Sequence, residues 1–476
     1  MAYRQPLIRR PGDLGDQRHE IPPDPTEDSL VSGLGALIVE PLGEERIVDG
    51  PLAVDGAIPD ELVGVLVRNG PNPAELDADG GRWLAGDGMV HAIEIRGGVA
   101  VSYTNRWVRT RRLSKTFRTR RVKGPRQPIE GPANANVIWH GGRLLALHES
   151  GLPYRLGADL STIAIEDFDS MLASPFTSHP KIDPQTGGLT AFGYDVFGPP
   201  NLRYHEVDAD GVLVHSTDID IPEVTMQHDF AVTAKKVAFF DLPVVLEGGA
   251  RGRGRPRFQW LPELGAQVGV MDRGSRGETV RWLEIDPCWV SHVVNAFDGE
   301  DGVTVDVCCY ESAFDAPGGR WSPHAGGVLK RWVISPDGSR VEVTQLDDRS
   351  IELPRVDPLL AGRPYRYGYC VATNPGPVFS PPRALIRYDL QSGTSKSYDP
   401  GDAMFPGEPI FVRSQEGDSD NEGWILTIVY DANRDLSDLV VLDASSFGPR
   451  PEAVVHLPNR VPFGLHGSWI EEASVS

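Results

Sequence analysis

The chain has little cysteine, no long apolar run, no dense cationic face and no sustained helical period. Its four cysteines (Cys288, Cys308, Cys309, Cys370) form no C-x-x-C pair and no zinc-type spacing. That excludes a disulfide framework and predicts reduced, buried thiols in a cytosolic setting. No apolar stretch approaches the roughly 18 residues needed to span a bilayer. The start, Met1-Ala-Tyr-Arg-Gln-Pro, carries no apolar signal core, so a cytoplasmic protein is expected. A formal net charge of −21 argues against general nucleic-acid binding, which needs a dense Lys/Arg face. No stretch keeps a clean 3.6-residue period between caps, so few helices are expected.

What is present is turn chemistry. Glycine (52) and proline (41) make up about a fifth of the chain and are scattered rather than blocked. Residues 1–33 are polar and proline-rich and read as an extended arm without a core. From residue 34 to 476 one strand–turn–strand signature recurs. Met89–Ile95, then Arg96-Gly-Gly, then Val99–Tyr103 is one case; Asn136–Trp139, His140-Gly-Gly, Arg143–Leu147 is another. Asp208-Ala-Asp-Gly, Ser335-Pro-Asp-Gly and Asp389-Leu-Gln-Ser-Gly mark three more hairpins. Many short hairpins without a fixed-period motif predict one all-β unit built from degenerate repeats, a propeller or a sandwich array. Ala231–Phe240 reads as a single strand. Two basic stretches, 109–123 and 251–257, interrupt the pattern; the first is a candidate for peripheral contact with an anionic membrane.

Twelve histidines are present. His179 (Ser-His-Pro-Lys), His228 (Gln-His-Asp-Phe), His292 (Ser-His-Val-Val) and His466 (Leu-His-Gly-Ser) sit at strand edges, separated by 49, 64 and 174 residues. No single helix or hairpin can gather them. Only a global fold could, and a propeller axis is a natural meeting point. Spacing alone leaves both a four-histidine metal site and four unrelated imidazoles open.

The motifs carry a resemblance. Arg68-Asn-Gly-Pro-Asn-Pro, Gly86-Asp-Gly-Met-Val-His, His148-Glu-Ser-Gly-Leu-Pro-Tyr, Thr177-Ser-His-Pro-Lys-Ile-Asp, Met226-Gln-His-Asp-Phe-Ala-Val-Thr, His292-Val-Val-Asn-Ala, Gly407-Glu-Pro-Ile-Phe-Val and Leu465-His-Gly-Ser-Trp follow one another in order. Together they resemble the carotenoid cleavage oxygenase family from about residue 34 to 469. The resemblance implies a seven-bladed β-propeller, with loops and short helices capping a non-haem Fe(II) on the axis. It implies His179, His228, His292 and His466 as ligands, which leaves two octahedral positions for dioxygen and a water or substrate. It also implies that Glu149 backs His228, Glu352 backs His292 and Glu408 backs His466, as ligating imidazoles generally require.

The implied activity is dioxygen-dependent cleavage of a C=C bond to two carbonyl products. The implied partner is a lipophilic conjugated small molecule, a carotenoid or apocarotenoid. A stilbenoid or phenylpropenoid substrate is the alternative within that chemistry. A non-catalytic or isomerising propeller is the alternative outside it. Two positions depart from the family pattern. His148 stands where stilbene-cleaving members resemble one another in carrying a Lys, and Ala135 stands where many members carry a Thr near an open iron position. Phe230, Trp289, Tyr310 and Trp469 are candidate linings of a substrate path. Oligomeric state is not legible in the sequence.

Overall fold

The computed structural model describes residues 40–472, apart from 75–84, 120, 127–129, 150, 196–198, 222–223, 247–257, 314–325, 374–381, 416 and 418. The arm expected over 1–33 and the basic stretch 251–257 lie outside the described residues.

Seven antiparallel sheets form seven blades. The second to sixth are each four strands in chain order. Their innermost strands are Asn136–His140, Lys181–Ile182, Ala231–Val232, Trp289–Gly299 and Ile351–Arg355. The seventh has Ile410–Arg413 innermost and takes Val54–Gly56 as its outermost strand. The first has Gly467–Glu471, near the end of the chain, paired to Gly64–Pro71, with Val65 opposite Ile470 and Val67 opposite Ser468. Strands from the two ends of the chain thus share two blades and close the ring. That leaves no long unpaired sheet edge between the first and last blades.

The predicted hairpins are all present: 88–96 with 99–107, 136–140 with 143–147, 202–207 with 213–219, 328–334 with 341–345, and 384–389 with 394–398. Two of the turns show why glycine is required. Gly97 and Gly98 have φ of 52° and 73°, and Gly141 and Gly142 have 55° and 70°. Both central residues of such a tight hairpin sit in the left-handed region. Gly141 also meets the Gly211 turn of the next blade closely enough that a Cβ would lie 2.6 Å from its Cα.

One expectation fails. Ala231–Phe240 is not one strand but two, Ala231–Val232 and Lys236–Asp241, paired antiparallel. The Thr233 hydroxyl accepts the amides of Lys235 (3.1 Å) and Lys236 (2.8 Å) and so folds the chain back. A threonine inside a β-rich run reads as strand, and its competing turn hydrogen bonds are invisible to periodicity.

Core side chains fill the wedges between blades. Phe192, Tyr204, Phe230 and Phe239 pack together where the third blade meets the fourth. Phe240 meets Trp332 edge-on at 5.5 Å between the fourth and fifth. All four cysteines are buried free thiols.

Each innermost strand runs away from one end of the axis, so the connection between the second and third strands of a blade returns to that same end. The longest connections within a blade, 72–87, 242–265 and 311–327, are of this kind. The link from the first blade to the second adds the helix Arg111–Thr116. The longest ladder in the 242–265 connection pairs Val244–Leu246 with Phe258–Trp260. Of the predicted cap of loops and a short helix, the described parts are that helix and that ladder. No helix among the described residues is long and apolar enough to cross a membrane.

Asn69 joins three parts of this ring. Its side-chain amide donates to Ala133 O and Asn136 O, both at 2.9 Å. Its backbone pairs with Leu465 and His466. Asn69→Ala leaves buried carbonyls without a donor and is expected to cost about 2 kcal/mol. The check is a fall in the chemical-denaturation midpoint with an unchanged m-value.

Candidate metal centre

The innermost strands bring the four histidines together. His179 lies two residues before Lys181–Ile182, His228 three before Ala231–Val232, His292 within Trp289–Gly299, and His466 one before Gly467–Glu471. Ring centroids are 4.6 Å apart for His179 and His228, 4.8 Å for His179 and His466, 5.2 Å for His228 and His292, and 5.1 Å for His292 and His466. Donor atoms of His179, His228 and His292 all fall within 4.8 Å of one another.

Three of the four imidazoles are held from behind. His292 Nδ1 is 2.6 Å from Glu352 Oε2, and His466 Nδ1 is 2.8 Å from Glu408 Oε1. His228 Nδ1 contacts Glu149 Oε1. A carboxylate at Nδ1 accepts the hydrogen bond of that N–H and so leaves the Nε2 lone pair toward the common space. The Nε2 atoms of His179 and His292 are buried with no hydrogen-bond partner among the described residues. Orphaned imidazole nitrogens facing one another are costly unless something binds them. The donor set, all neutral nitrogen, fits a divalent first-row ion that accepts imidazole.

The electrostatics agree. Burial disfavours ionised Glu352, yet the adjoining His292 ring, its hydrogen bond and the Tyr310 hydroxyl hold its carboxyl down to about 2. Burial likewise opposes Glu408, and Arg355 and His466 hold it well below the carboxylate range. Burial lowers His466 to about 4 and, together with the three neighbouring imidazoles, pushes His179 far below its ordinary value. Both are neutral and free to ligate. Burial also works against a charged His228, but Glu149 outweighs it and raises that imidazole. A cation in the common space would compete for that proton.

Each carboxylate has its own further partner. The Tyr310 hydroxyl donates to Glu352 Oε1. Arg355 Nε donates to Glu408 Oε1 at 2.8 Å, and its NH2 reaches Gly467 O at 2.8 Å. Ser178 Oγ lies 3.5 Å from Glu149 Oε1. Arg355 and Ser178 were not legible as site residues, and Tyr310 was legible only as a possible tunnel wall. Their contacts cross between blades or between strands distant in sequence, and no local signature marks them.

The other sequence candidates divide. Ala135 is at the centre's rim: its carbonyl accepts the His466 amide at 3.1 Å and its own amide donates to Leu147 O. His148 packs against Gly131, where a Cβ would lie 2.6 Å from its Nδ1. Burial lowers its pKa despite neighbouring Glu149, so the imidazole is neutral. Trp289 lies tilted against His228, with centroids 6.1 Å apart. Phe230 is instead blade core, 5.1 Å from Phe192. Trp469 lies against Gly64 in the first blade, where a Cβ would come within 2.7 Å of its ring. In the basic stretch 109–123, Arg109 pairs with Glu45, Arg111 with Glu130 and Arg112 with Asp87. Much of its charge is thus spent within the fold.

This geometry ranks substitutions. His228→Ala is expected to abolish stoichiometric iron binding, and Glu352→Ala to weaken it about 10- to 100-fold. Tyr310→Phe, which removes only the hydroxyl behind Glu352, should weaken it several-fold. Iron content after dialysis against a graded chelator series reads the order.

The comparisons with known proteins follow the same lines. The family profile described as "Retinal pigment epithelial membrane protein" matches residues 40–471. A carotenoid cleavage oxygenase of Mycobacterium tuberculosis is 34% identical, over 88% of this chain and 93% of its own length. An apocarotenoid-15,15'-oxygenase of Synechocystis is 33% identical, over 88% of this chain and 92% of its own. The crystal structure of a lignostilbene dioxygenase from Pseudomonas brassicacearum superposes with a TM-score of 0.85 at 31% identity, covering 93% of this chain and 98% of that one. With seven blades, four converging histidines and a family match over nearly its whole length, the chain belongs to the carotenoid cleavage oxygenase family.

Proposed function

We propose that this protein binds Fe(II) through His179, His228, His292 and His466 and uses dioxygen to cleave a C=C bond of a carotenoid or apocarotenoid into two carbonyl products. The observation that carries the reading is the convergence of four imidazoles, three of them backed by carboxylates. A bound Fe(II) supplies the activation of dioxygen that a spin-forbidden attack on an alkene requires. The chain's own work is different. Glu149, Glu352 and Glu408 hold three ligand rings in place, and the blade packing keeps the ligand geometry from relaxing. Ala135 presents a methyl group, which offers no hydrogen bond to a bound water or oxygen.

Neutral, half-buried His148 supports a polyene over a hydroxystilbene. A phenolate would find no fixed cation there. A stilbenoid or phenylpropenoid remains the second reading, supported by the likeness to the lignostilbene dioxygenase. A cytoplasmic protein that meets membranes only peripherally is consistent with both.

Oxygen uptake separates the readings. The iron-loaded protein is expected to consume oxygen with an apocarotenal and to release two carbonyl products, with a rate on 4-hydroxystilbene at least tenfold lower. Iron removal should abolish uptake, Fe(II) should restore it and Zn(II) should not. His148→Lys should raise the relative rate on hydroxystilbene about tenfold, the scale of one charge-assisted hydrogen bond. Faster uptake with hydroxystilbene than with any polyene would overturn the substrate assignment.

A further inference from the structure

Three ligands have a carboxylate behind them; His179 has none among the described residues. Yet His179, His228 and His292 form the tightest group of donor atoms. Strand placement can hold the first of them in register with the other two.

Asp229 is placed to do this. It is nearly fully buried and directly follows His228. Its Oδ1 is 2.7 Å from Lys181 Nζ, two residues beyond His179 on the innermost strand of the third blade. Its Oδ2 accepts the amide of Val293, the residue after His292, at 2.7 Å. Oδ1 also accepts the Phe230 amide at 2.8 Å, which fixes the carboxylate on its own backbone. The Lys181 ammonium lies 5.9 Å from the centroid of the Phe230 ring. One carboxylate thus touches the three strands that carry His179, His228 and His292. Buried ion pairs add little net stability, because desolvation offsets their attraction, but they do specify geometry. A charged side chain spent between three ligand-bearing strands is more simply explained by spacing than by stability.

We infer that Asp229 is a positioning residue of the metal centre, setting the separation of His179, His228 and His292 through Lys181 on one side and the Val293 amide on the other. The inference rests on the iron reading above. Asp229 does not touch the metal; it acts through strand placement.

The test uses full-length protein loaded with iron(II) or, for spectroscopy, cobalt(II). Asp229→Asn puts an amide where two backbone amides and an ammonium all seek an acceptor. It is expected to weaken iron binding about tenfold or more and to change the intensity and position of the cobalt d–d bands. Lys181→Met should shift both in the same direction by less. Lys181→Arg, which keeps the cation, should stay near wild type. The Lys181→Met/Asp229→Asn double variant should be no worse than Asp229→Asn, because one unit is lost in each. Leu439→Ala, in the seventh blade, serves as a control for lost stability and should leave the cobalt spectrum unchanged. A wild-type spectrum and iron affinity in both Asp229→Asn and Lys181→Met would overturn the inference, as would the same spectral change in Leu439→Ala. If Asp229→Asn does not fold, Lys181→Met and Lys181→Arg decide alone. Stoichiometric iron in His228→Ala would instead overturn the ligand assignment on which the inference stands.

Discussion

Seven innermost strands must begin at the same height on one axis, and a ring of polar ties across the blade junctions holds them there. Asn69 grips the start of the second blade's inner strand, and Asn136 Nδ2 reaches Ser178 O at 2.8 Å in the third. Lys181 and Asp229 join the third to the fourth, and Asp229 and the Val293 amide join the fourth to the fifth. Glu352 ties the sixth to His292 of the fifth. Arg355 and Glu408 bind the sixth to the seventh, and Glu408 closes the circle on His466 and the Gly467 amide. Sheet ladders stabilise each blade but say little about how blades align with one another. The ties supply that alignment, and the ligands are embedded in them. Scaffold and metal site are therefore not separable layers.

The ring also offsets part of the charge. Four neutral imidazoles leave the two positive charges of a divalent ion uncompensated by its ligands. Glu149, Glu352 and Glu408 bring three negative charges and Arg355 returns one positive, while Lys181 and Asp229 cancel each other. Buried Arg68, whose charge also acts on Glu408, returns a second positive charge, so the surroundings offset one of the two charges a divalent ion would bring. The unpartnered ring nitrogens of His179 and His292 share one buried space, with the carboxylates behind the rings, so metal binding would be coupled to folding.

The parts legible in the sequence are those written locally. Glycine pairs such as Gly97-Gly98 announced hairpins, and each ligand histidine sat in a short motif of recognisable family type. The parts that were hidden depend on partners from other blades. Asp229 stood beside His228 in plain view, yet its role exists only because Lys181 and Val293 approach from two other strands. Nothing local marks Arg355 until Glu408 is placed beside it. Tyr310 and Trp469 were both aromatic candidates for a tunnel wall; one proved to hold Glu352 and the other to pack on Gly64. Aromatic identity cannot tell a wall from a wedge, since burial stabilises both. Ala231–Phe240 failed for a smaller reason, a single threonine hydroxyl that ends a ladder.

The central claim is that four histidines from four blades form the whole protein ligand set, with carboxylates one step removed. Iron K-edge absorption on the iron(II)-loaded protein measures this most directly. The account predicts four imidazole nitrogens in the nearest shell and no protein carboxylate oxygen, with one imidazole lost in His466→Ala. A carboxylate bound to iron, or an unchanged imidazole count in that variant, would contradict it.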